Sequence, residues 1–350
     1  MNANAPATGP ATGTTTVADR YLAALHANGI RHVFANAGTD FAPIIEGLVK
    51  AANTETPVPE FVTVPHENVA MAMAQGYYKV SGNVAAVMVH VTVGTANAMC
   101  GVINASRDGT PVLLAAGRTP LTESGELGSR NVSIHWPQEA RDQAGCLREY
   151  VKWDYELRRG QPVEALVGRA LDIALTGPMG PVYMTLPREV LADPAADTPV
   201  PPRIPGAVPA APAADAIERA AAAIARAEFP LIIYQAMWNT ADTQAALGAL
   251  ANDYAIAVCD HAGGALPTTH PMNLGDIRGM PGRFVEMADV IVVIGASVPW
   301  VPSAAEPNAA ATIFQIGADP HFGDLPHRGF RSDLSITGDP ARSVVALNEA

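Results

Sequence analysis

Short apolar runs alternate along this chain with longer stretches whose apolar residues recur at helical spacing. The runs at 84–91 and 290–295 are apolar at nearly every position, which is typical of central parallel strands that are covered on both faces. The stretch at 17–28 instead keeps its apolar residues on one helical face and stops before Gly29, a common helix terminator. Strands that alternate with helices in this way form right-handed crossovers. The pattern therefore predicts an α/β fold with doubly wound parallel sheets.

The same pattern predicts where each element lies. Strands are expected at 30–35, 60–64, 84–91, 111–116, 180–187, 230–234, 255–259, 290–295 and 312–316. Helices are expected at 17–28, 41–52, 66–81, 94–107, 162–176, 215–227 and 240–254, with Asp215 as the cap of the sixth.

A proline-rich stretch at 191–214 divides the pattern in two and is expected to be an extended linker. It separates a first domain at 17–190 from a second domain at 215–350. Residues 1–16 are rich in Ala, Thr, Gly and Pro and are expected to form a disordered leader rather than a signal peptide.

Composition excludes several classes of partner. The 350 residues carry a net charge of −12 and no basic cluster, so nucleic acid and anionic membranes are poor partners. Cys100, Cys146 and Cys259 lie far apart and without CxxC spacing. We therefore expect reduced, mostly buried thiols in a cytoplasmic protein.

The most informative stretch is the one around Glu67. Pro65 ends a β-rich run, and helix-forming residues begin at His66, so Glu67 lies in the first turn of a helix at the carboxyl end of a strand. Ligands of open α/β sheets bind at that edge. A carboxylate in a first turn also stabilises the helix dipole, which is the simpler interpretation. The small and apolar residues at 69–74 favour chemistry, because apolar surroundings help a carboxyl group to hold a proton.

His66-Glu67, the alanine-rich helix and Gly76-Tyr77 resemble the cofactor-activating helix of thiamin diphosphate enzymes. The resemblance is to the group that contains acetolactate synthase, pyruvate decarboxylase and benzoylformate decarboxylase. In that group the glutamate hydrogen-bonds the aminopyrimidine ring of the cofactor and promotes removal of the thiazolium proton. The resemblance thus implies thiamin diphosphate as cofactor and Glu67 as a catalytic and cofactor-binding residue.

Two more turns match the same group. Gly38-Thr39 is similar to its first loop, where a small hydroxyl residue faces the substrate; alternatively, Thr39 and Asp40 only cap the helix that opens at residue 41. The stretch 90–99 resembles a turn of benzoylformate decarboxylase in which a histidine exchanges protons with intermediates, which implies that role for His90. A buried core histidine is the alternative. The catalytic residues implied are therefore Glu67, His90 and Thr39, and the cofactor-binding residues Glu67, Gly38, Thr92, Gly94 and Asn97.

The second half of the chain resembles the middle domain of these enzymes, which carries FAD in acetolactate synthases. Bulky residues at 234–238 replace the usual glycine turn and would keep a diphosphate from the backbone, which argues against FAD here. His261 and His270 lack a third ligand at useful spacing, so no metal site is expected.

The family's third domain binds Mg²⁺ and the diphosphate through a Gly-Asp-Gly motif. The Gly-Asp pairs at 275, 323 and 338 lack the third glycine. The resemblance therefore covers two domains of three, and we expect Mg²⁺ only through a diphosphate-binding domain from elsewhere, with negligible turnover by the isolated chain.

The resemblance implies a 2-oxo acid decarboxylase or carboligase that is acetolactate synthase-like. One alternative is a benzoylformate decarboxylase-like 2-oxo acid decarboxylase, and another is a non-catalytic regulatory or assembly subunit. A nucleotide-binding α/β protein is opposed by the absence of GxGxxG. A homodimer or tetramer is expected, with close helix contacts between subunits through small residues on the helices at 66–81 and 94–107, namely Ala70, Ala74, Ala98 and Gly101.

Overall fold

The computed structural model of the chain describes residues 14–197, 200, 207–236, 239–261, 263–276 and 282–350. The chain divides into two compact units, Met1–Ala207 and Val208–Ala350. This boundary lies inside the predicted linker at 191–214, of which 198–199 and 201–206 are outside the described residues.

The first unit contains one sheet of six parallel strands. In chain order the strands are β1 His32–Ala35, β2 Glu60–Thr63, β3 Ala86–Val89, β4 Leu113–Arg118, β5 Asp154–Glu156 and β6 Val182–Pro187, and their spatial order is β2-β1-β3-β4-β6-β5. The helices are α1 Val17–Ala27, α2 Ala42–Thr54, α3 Glu67–Ser81, α4 Val91–Arg107, α5 Val163–Leu175 and α6 Arg188–Ala192. Every residue of β3 is buried, as its unbroken apolar run predicts.

The second unit also contains one sheet of six parallel strands, which are connected in a different order. They are β7 Pro230–Tyr234, β8 Ala257–Asp260, β9 Asn273–Gly275, β10 Val290–Ile294, β11 Thr312–Gly317 and β12 Leu334–Thr337, in the spatial order β12-β11-β10-β7-β8-β9. Its helices are α7 Ala214–Ile224, α8 Ala241–Asp253, α9 Arg283–Met287 and α10 Pro340–Glu349. Ile232 and Leu231, neighbours on β7, belong to apolar clusters on opposite faces of the sheet. The predicted fold class, two parallel α/β sheets, is confirmed.

Several local predictions differ from the structure. Residues 1–13 of the predicted leader lie outside the described residues, but Thr16 caps α1 in a reciprocal pair with Asp19, and the Thr15 carbonyl accepts a hydrogen bond from the Ala195 amide. The folded part therefore begins before residue 17. Asp215 is not the cap of α7, since Ala213 occupies that position without a side-chain hydrogen bond.

The expectation that small residues of α3 and α4 face another subunit is wrong. Ala70, Ala74 and Ala98 are fully buried within the chain. A Cβ atom at Gly101 would lie 2.4 Å from the Cβ of Met71. The small residues instead let α3 and α4 pack closely against each other.

The cysteines also differ from expectation, because Cys100 and Cys146 are exposed and Cys259 alone is buried; all three are free thiols. Across the described residues, each helix is too short or too polar to cross a bilayer.

Candidate functional site

The strand order of the first unit reverses between β1 and β3. The chain runs from β1 outward to β2 and then returns to the other side of β1 to form β3. Open α/β sheets bind ligands at the carboxyl edge beside such a reversal. The turns that carry Gly38 and Thr39, Glu67, and His90 follow β1, β2 and β3, so the structure places all of them at this edge.

Glu67 is the first residue of α3 and its carboxyl group is buried, with a side-chain exposure of 8%. His66 caps the helix, since its Nδ1 accepts the Asn68 amide at 3.2 Å. The Glu67 carboxyl group is not surrounded by apolar groups alone, because Asn97 on α4 donates from Nδ2 to Oε2 at 3.3 Å. Two residues predicted separately as cofactor-binding are thus hydrogen-bonded to each other.

His90 forms the shortest contact at this edge that involves a predicted residue. Its Nδ1 lies 2.5 Å from Oδ1 of Asp40, a carboxylate with 2% exposure in the 3₁₀ turn Thr39–Phe41. The hydrogen bond to Asp40 raises the His90 pKa; partial burial lowers it, and the charges of Asp40 and Glu67 raise it further. His90 is therefore held by a charged partner and is not a core histidine surrounded by apolar groups.

Two glycines make this contact possible. A Cβ atom at Gly38 would lie 2.0 Å from Nδ1 of His90, and one at Gly117 would lie 1.8 Å from Oδ2 of Asp40. The His90 ring therefore packs directly against the backbone of Gly38, and the Asp40 carboxylate against that of Gly117, where any side chain would overlap them. Gly38, predicted as a cofactor-binding residue, has at least this structural role.

Val91 follows His90 in a left-handed backbone conformation, with φ of 34°. A β-branched residue in this region carries strain of about 1–3 kcal/mol, which persists only where the surroundings enforce it. Here the Val91 amide donates to Oδ2 of Asp40 at 3.3 Å. The chain turns at Val91 and α4 starts there, three residues before the predicted start at Gly94, whose missing Cβ would lie 2.9 Å from the Cβ of Val89.

Thr39 and Thr92 have different environments. Thr39 is exposed, and its side chain caps neither the 3₁₀ turn nor α2. The capping interpretation of Thr39 and Asp40 is therefore wrong. Thr92 donates from Oγ1 to Oε1 of Gln143 at 3.3 Å, and buried Gln143 in turn donates to the Gly117 carbonyl at 2.8 Å.

Sequence reasoning missed Asp40, Gln138 and Gln143 as members of this site. Asp40 carries a signal, since it is a carboxylate in the turn after β1, but its sequence context suggests no role beyond the alternative of a helix cap. Gln138, whose Nε2 lies 3.4 Å from Nε2 of His90, comes from a stretch without periodicity. Nothing in that stretch indicates which side chain returns to the sheet.

Bulky residues at 234–238 are expected to exclude FAD, but Met237 and Trp238 lie outside the described residues. Tyr234 is buried, and its hydroxyl donates to Oδ1 of Asn239 at 2.7 Å. Within the described ranges, no group of three or more His, Cys, Asp or Glu side chains is placed to hold a metal ion.

Comparison with known proteins agrees with this geometry. Residues 15–146 match the family model for the thiamine pyrophosphate enzyme N-terminal TPP binding domain, and residues 217–347 match the model for the thiamine pyrophosphate enzyme central domain. The catabolic acetolactate synthase of Raoultella terrigena is 24% identical over 338 residues, which cover 94% of this chain. The chain spans 57% of that relative's length.

Solved structures give the same result. A protein from Mycobacterium smegmatis assigned to the thiamin diphosphate-dependent enzymes superposes with a TM-score of 0.73 at 26% identity, over 96% of this chain and 62% of that one. Benzoylformate decarboxylase from Polynucleobacter necessarius shares the fold, with a TM-score of 0.71 at 21% identity over 95% of this chain and 61% of that one. With both family models matched in order and Glu67 at the carboxyl edge of the first sheet, this chain belongs to the thiamin diphosphate (thiamine pyrophosphate) enzyme family and carries its N-terminal and central domains.

Proposed function

We propose that this chain is the pyrimidine-binding and central part of an acetolactate synthase-like enzyme that decarboxylates a 2-oxo acid and ligates the product. The observation that carries the proposal is the position of Glu67. Its buried carboxyl group opens α3 at the carboxyl edge of the first sheet, is hydrogen-bonded by Asn97 and acts electrostatically on His90.

The residues at this edge fit an aminopyrimidine ring. Such a ring needs a carboxyl group that can donate or accept a proton at a ring nitrogen, and a buried carboxyl on a helix N-terminus meets that need. When bound, thiamin diphosphate supplies a carbon nucleophile for the 2-oxo carbon and an acceptor for the electrons that carbon dioxide leaves behind. Glu67 would hold the ring and exchange the proton at its carboxyl group, and Asn97 would fix the orientation of that carboxyl.

His90 supports a second candidate, a benzoylformate decarboxylase-like 2-oxo acid decarboxylase. A decarboxylase must protonate its product after carbon dioxide leaves, and the Asp40 carboxylate keeps a larger share of His90 protonated near neutral pH. A carboligase must delay that protonation until a second keto acid arrives. Exposed Thr39 lies on the adjacent turn, where it would contact the substrate.

Mg²⁺ and the diphosphate that it would hold have no candidate metal site among the described residues, since no group of three or more His, Cys, Asp or Glu side chains there could hold a metal ion. We propose that the residues that bind them lie outside 1–350, on the same polypeptide or on another. FAD is not part of the proposal.

We also propose a homodimer or tetramer. The support comes from exposed apolar side chains and not from the small residues, which are buried within the chain. The outward faces of α3 and α4 expose apolar side chains at Val69, Met73, Val80 and Val93, with exposures of 47%, 38%, 81% and 50%. Single exposed apolar residues are normal, but several on two adjacent helices form a patch of the kind that marks protein–protein contacts. The free thiols are consistent with a cytoplasmic location.

The test is an assay of the chain together with a diphosphate-binding domain, thiamin diphosphate, Mg²⁺ and a panel of 2-oxo acids. We expect carbon dioxide release from the mixture and negligible release from this chain alone. An aldehyde product would identify the chain as part of a decarboxylase. A hydroxy keto acid formed from two 2-oxo acids would identify it as part of a carboligase. No release from any 2-oxo acid, with cofactor binding intact, would favour the non-catalytic subunit and overturn the proposal.

A further inference from the structure

We propose that Asp40 is a positioning residue for His90. Asp40 fixes the imidazole ring with its proton on Nδ1 and leaves Nε2 as the nitrogen that exchanges protons with a ligand. The inference rests on the role proposed above for His90, which protonates the product in the decarboxylase candidate. Nothing in the family comparison assigns a role to Asp40.

Both oxygens of Asp40 are engaged at this site. Oδ1 accepts from Nδ1 of His90 at 2.5 Å, and Oδ2 accepts the Val91 amide at 3.3 Å. The carboxylate cannot turn away, because the Gly117 backbone packs against it where a Cβ atom would lie 1.8 Å from Oδ2. Gly38 closes the other side of the ring in the same way, with a hypothetical Cβ 2.0 Å from Nδ1.

The two ring nitrogens of His90 have partners of opposite kind. A buried carboxylate only accepts hydrogen bonds, so Nδ1 must carry a proton. On the other side, the Gln138 amide nitrogen lies 3.4 Å from Nε2 and donates, so Nε2 of the neutral ring must carry the lone pair. Both contacts select the same tautomer. When Nε2 is protonated, the Gln138 side chain must present its carbonyl oxygen instead.

The pair also joins the two turns on either side of the strand-order reversal. Asp40 follows β1 and His90 follows β3, and these strands are neighbours in the sheet. The other charged groups that act on the pair are Glu67 from α3 and, through Asp40 and the loop, Arg188 and His135. In the part of the chain that the structure describes, none of these groups hydrogen-bonds the ring, so Asp40 is the charged partner that holds Nδ1.

The test uses protein labelled at histidine with ¹⁵N and ¹³C, whose ring signals report tautomer and titration directly. Nine histidines are present, and His90→Gln identifies the signal by its loss. We expect the neutral His90 ring to be the Nδ1–H tautomer in the unmodified protein. In Asp40→Asn we expect the midpoint of His90 titration to fall by about 1–3 pH units.

Glu60→Gln is the matched control. At the opposite end of β1 and β2, His32 Nδ1 lies 3.3 Å from the Glu60 carboxylate. The variant therefore removes a carboxylate beside a different histidine. The His90 signal should not move in this variant. If His90 is the Nε2–H tautomer, or if its titration is unchanged in Asp40→Asn, the proposal is wrong.

The tautomer measurement decides the question even if Asp40→Asn does not fold, because it uses the unmodified chain. Neither measurement needs cofactor or turnover. A failure of the proposed function would therefore appear as absent 2-oxo acid chemistry with the His90 tautomer as expected, whereas a failure of this inference would appear in the ring signals alone.

Discussion

Asn97 on α4 donates a hydrogen bond from Nδ2 to Oε2 of Glu67 on α3, across 3.3 Å. The two helices follow strands that are separated in the sheet by β1, so this contact closes the site above that strand. Glu67 is thereby oriented by a residue thirty positions away in the sequence.

Asn97→Ala should weaken thiamin diphosphate binding by the assembled enzyme about threefold to tenfold, the usual effect of losing one hydrogen bond. Calorimetric titration of the cofactor measures this. Asn104→Ala, an exposed change on the same helix, serves as control and should bind normally. Equal affinity in both variants would mean that Asn97 does not orient the carboxyl group.

Glu67→Gln should slow turnover of the assembled enzyme by at least about a hundredfold, because glutamine keeps the shape of the side chain but cannot exchange its proton. Hydrogen–deuterium exchange at the thiazolium carbon of the bound cofactor is the direct measurement. Glu60→Gln is the control at the far end of the sheet and should exchange at the normal rate. Normal exchange in Glu67→Gln would contradict the catalytic role proposed for Glu67.

The Asp40–His90 pair predicts how stability depends on pH. Because the folded-state pKa of His90 is raised, the folded chain holds this proton at pH values where the unfolded chain has released it. The stabilisation is complete below the unfolded pKa, about 6.5, and is lost as pH rises through the higher folded value. Urea unfolding of the chain and of His90→Gln should therefore differ most at low pH and least at high pH. A difference that grows with pH contradicts the pairing.

Gly117→Ala should destabilise the first unit by about 1–3 kcal/mol, since the added methyl group would overlap the Asp40 carboxylate. Gly248→Ala on α8 meets no atom within 4 Å. This control should be neutral or stabilise the chain by about 0.5–1 kcal/mol through helix propensity. Thermal unfolding of the two variants distinguishes local overlap from a general effect of replacing glycine.

Met73→Asp should reduce the assembly to monomers if the exposed faces of α3 and α4 join subunits, because a charge would be buried at the centre of the contact. Light scattering at micromolar concentration measures the mass. Val208→Asp, a change at a side chain with 76% exposure, is the control and should keep the mass of the parent protein. A parent protein that is already monomeric would contradict the assembly proposal.

The sequence was sufficient for the elements whose burial is uniform. β3 was predictable because both of its faces are covered, so all of its residues are apolar. The position of Glu67 was predictable for a local reason, since Pro65 ends the run of β2 and the helix-forming residues begin immediately afterwards.

Contacts between turns that are distant in sequence could not be predicted from local sequence patterns. Asp40 has a normal sequence context for a helix cap, and only the folded sheet places it beside His90. The alanines of α3 and α4 illustrate the same limit, because small residues permit close helix contact without indicating whether the partner helix belongs to the same chain. Here Ala70 and Ala98 are buried within it.

The hydrogen bonds between α3 and α4 have a consequence for movement. The Gly101 amide donates to Oδ1 of Asn68 at 2.9 Å, and Gln75 donates to the Gly101 carbonyl at 3.3 Å. With close packing along their length, the two helices form a single stiff frame that carries both Glu67 and Asn97. A ligand that enters or leaves this edge would therefore be accommodated by the rim, where Thr39 and Gln138 lie on short turns and loops, and not by a change in the spacing of Glu67 and Asn97.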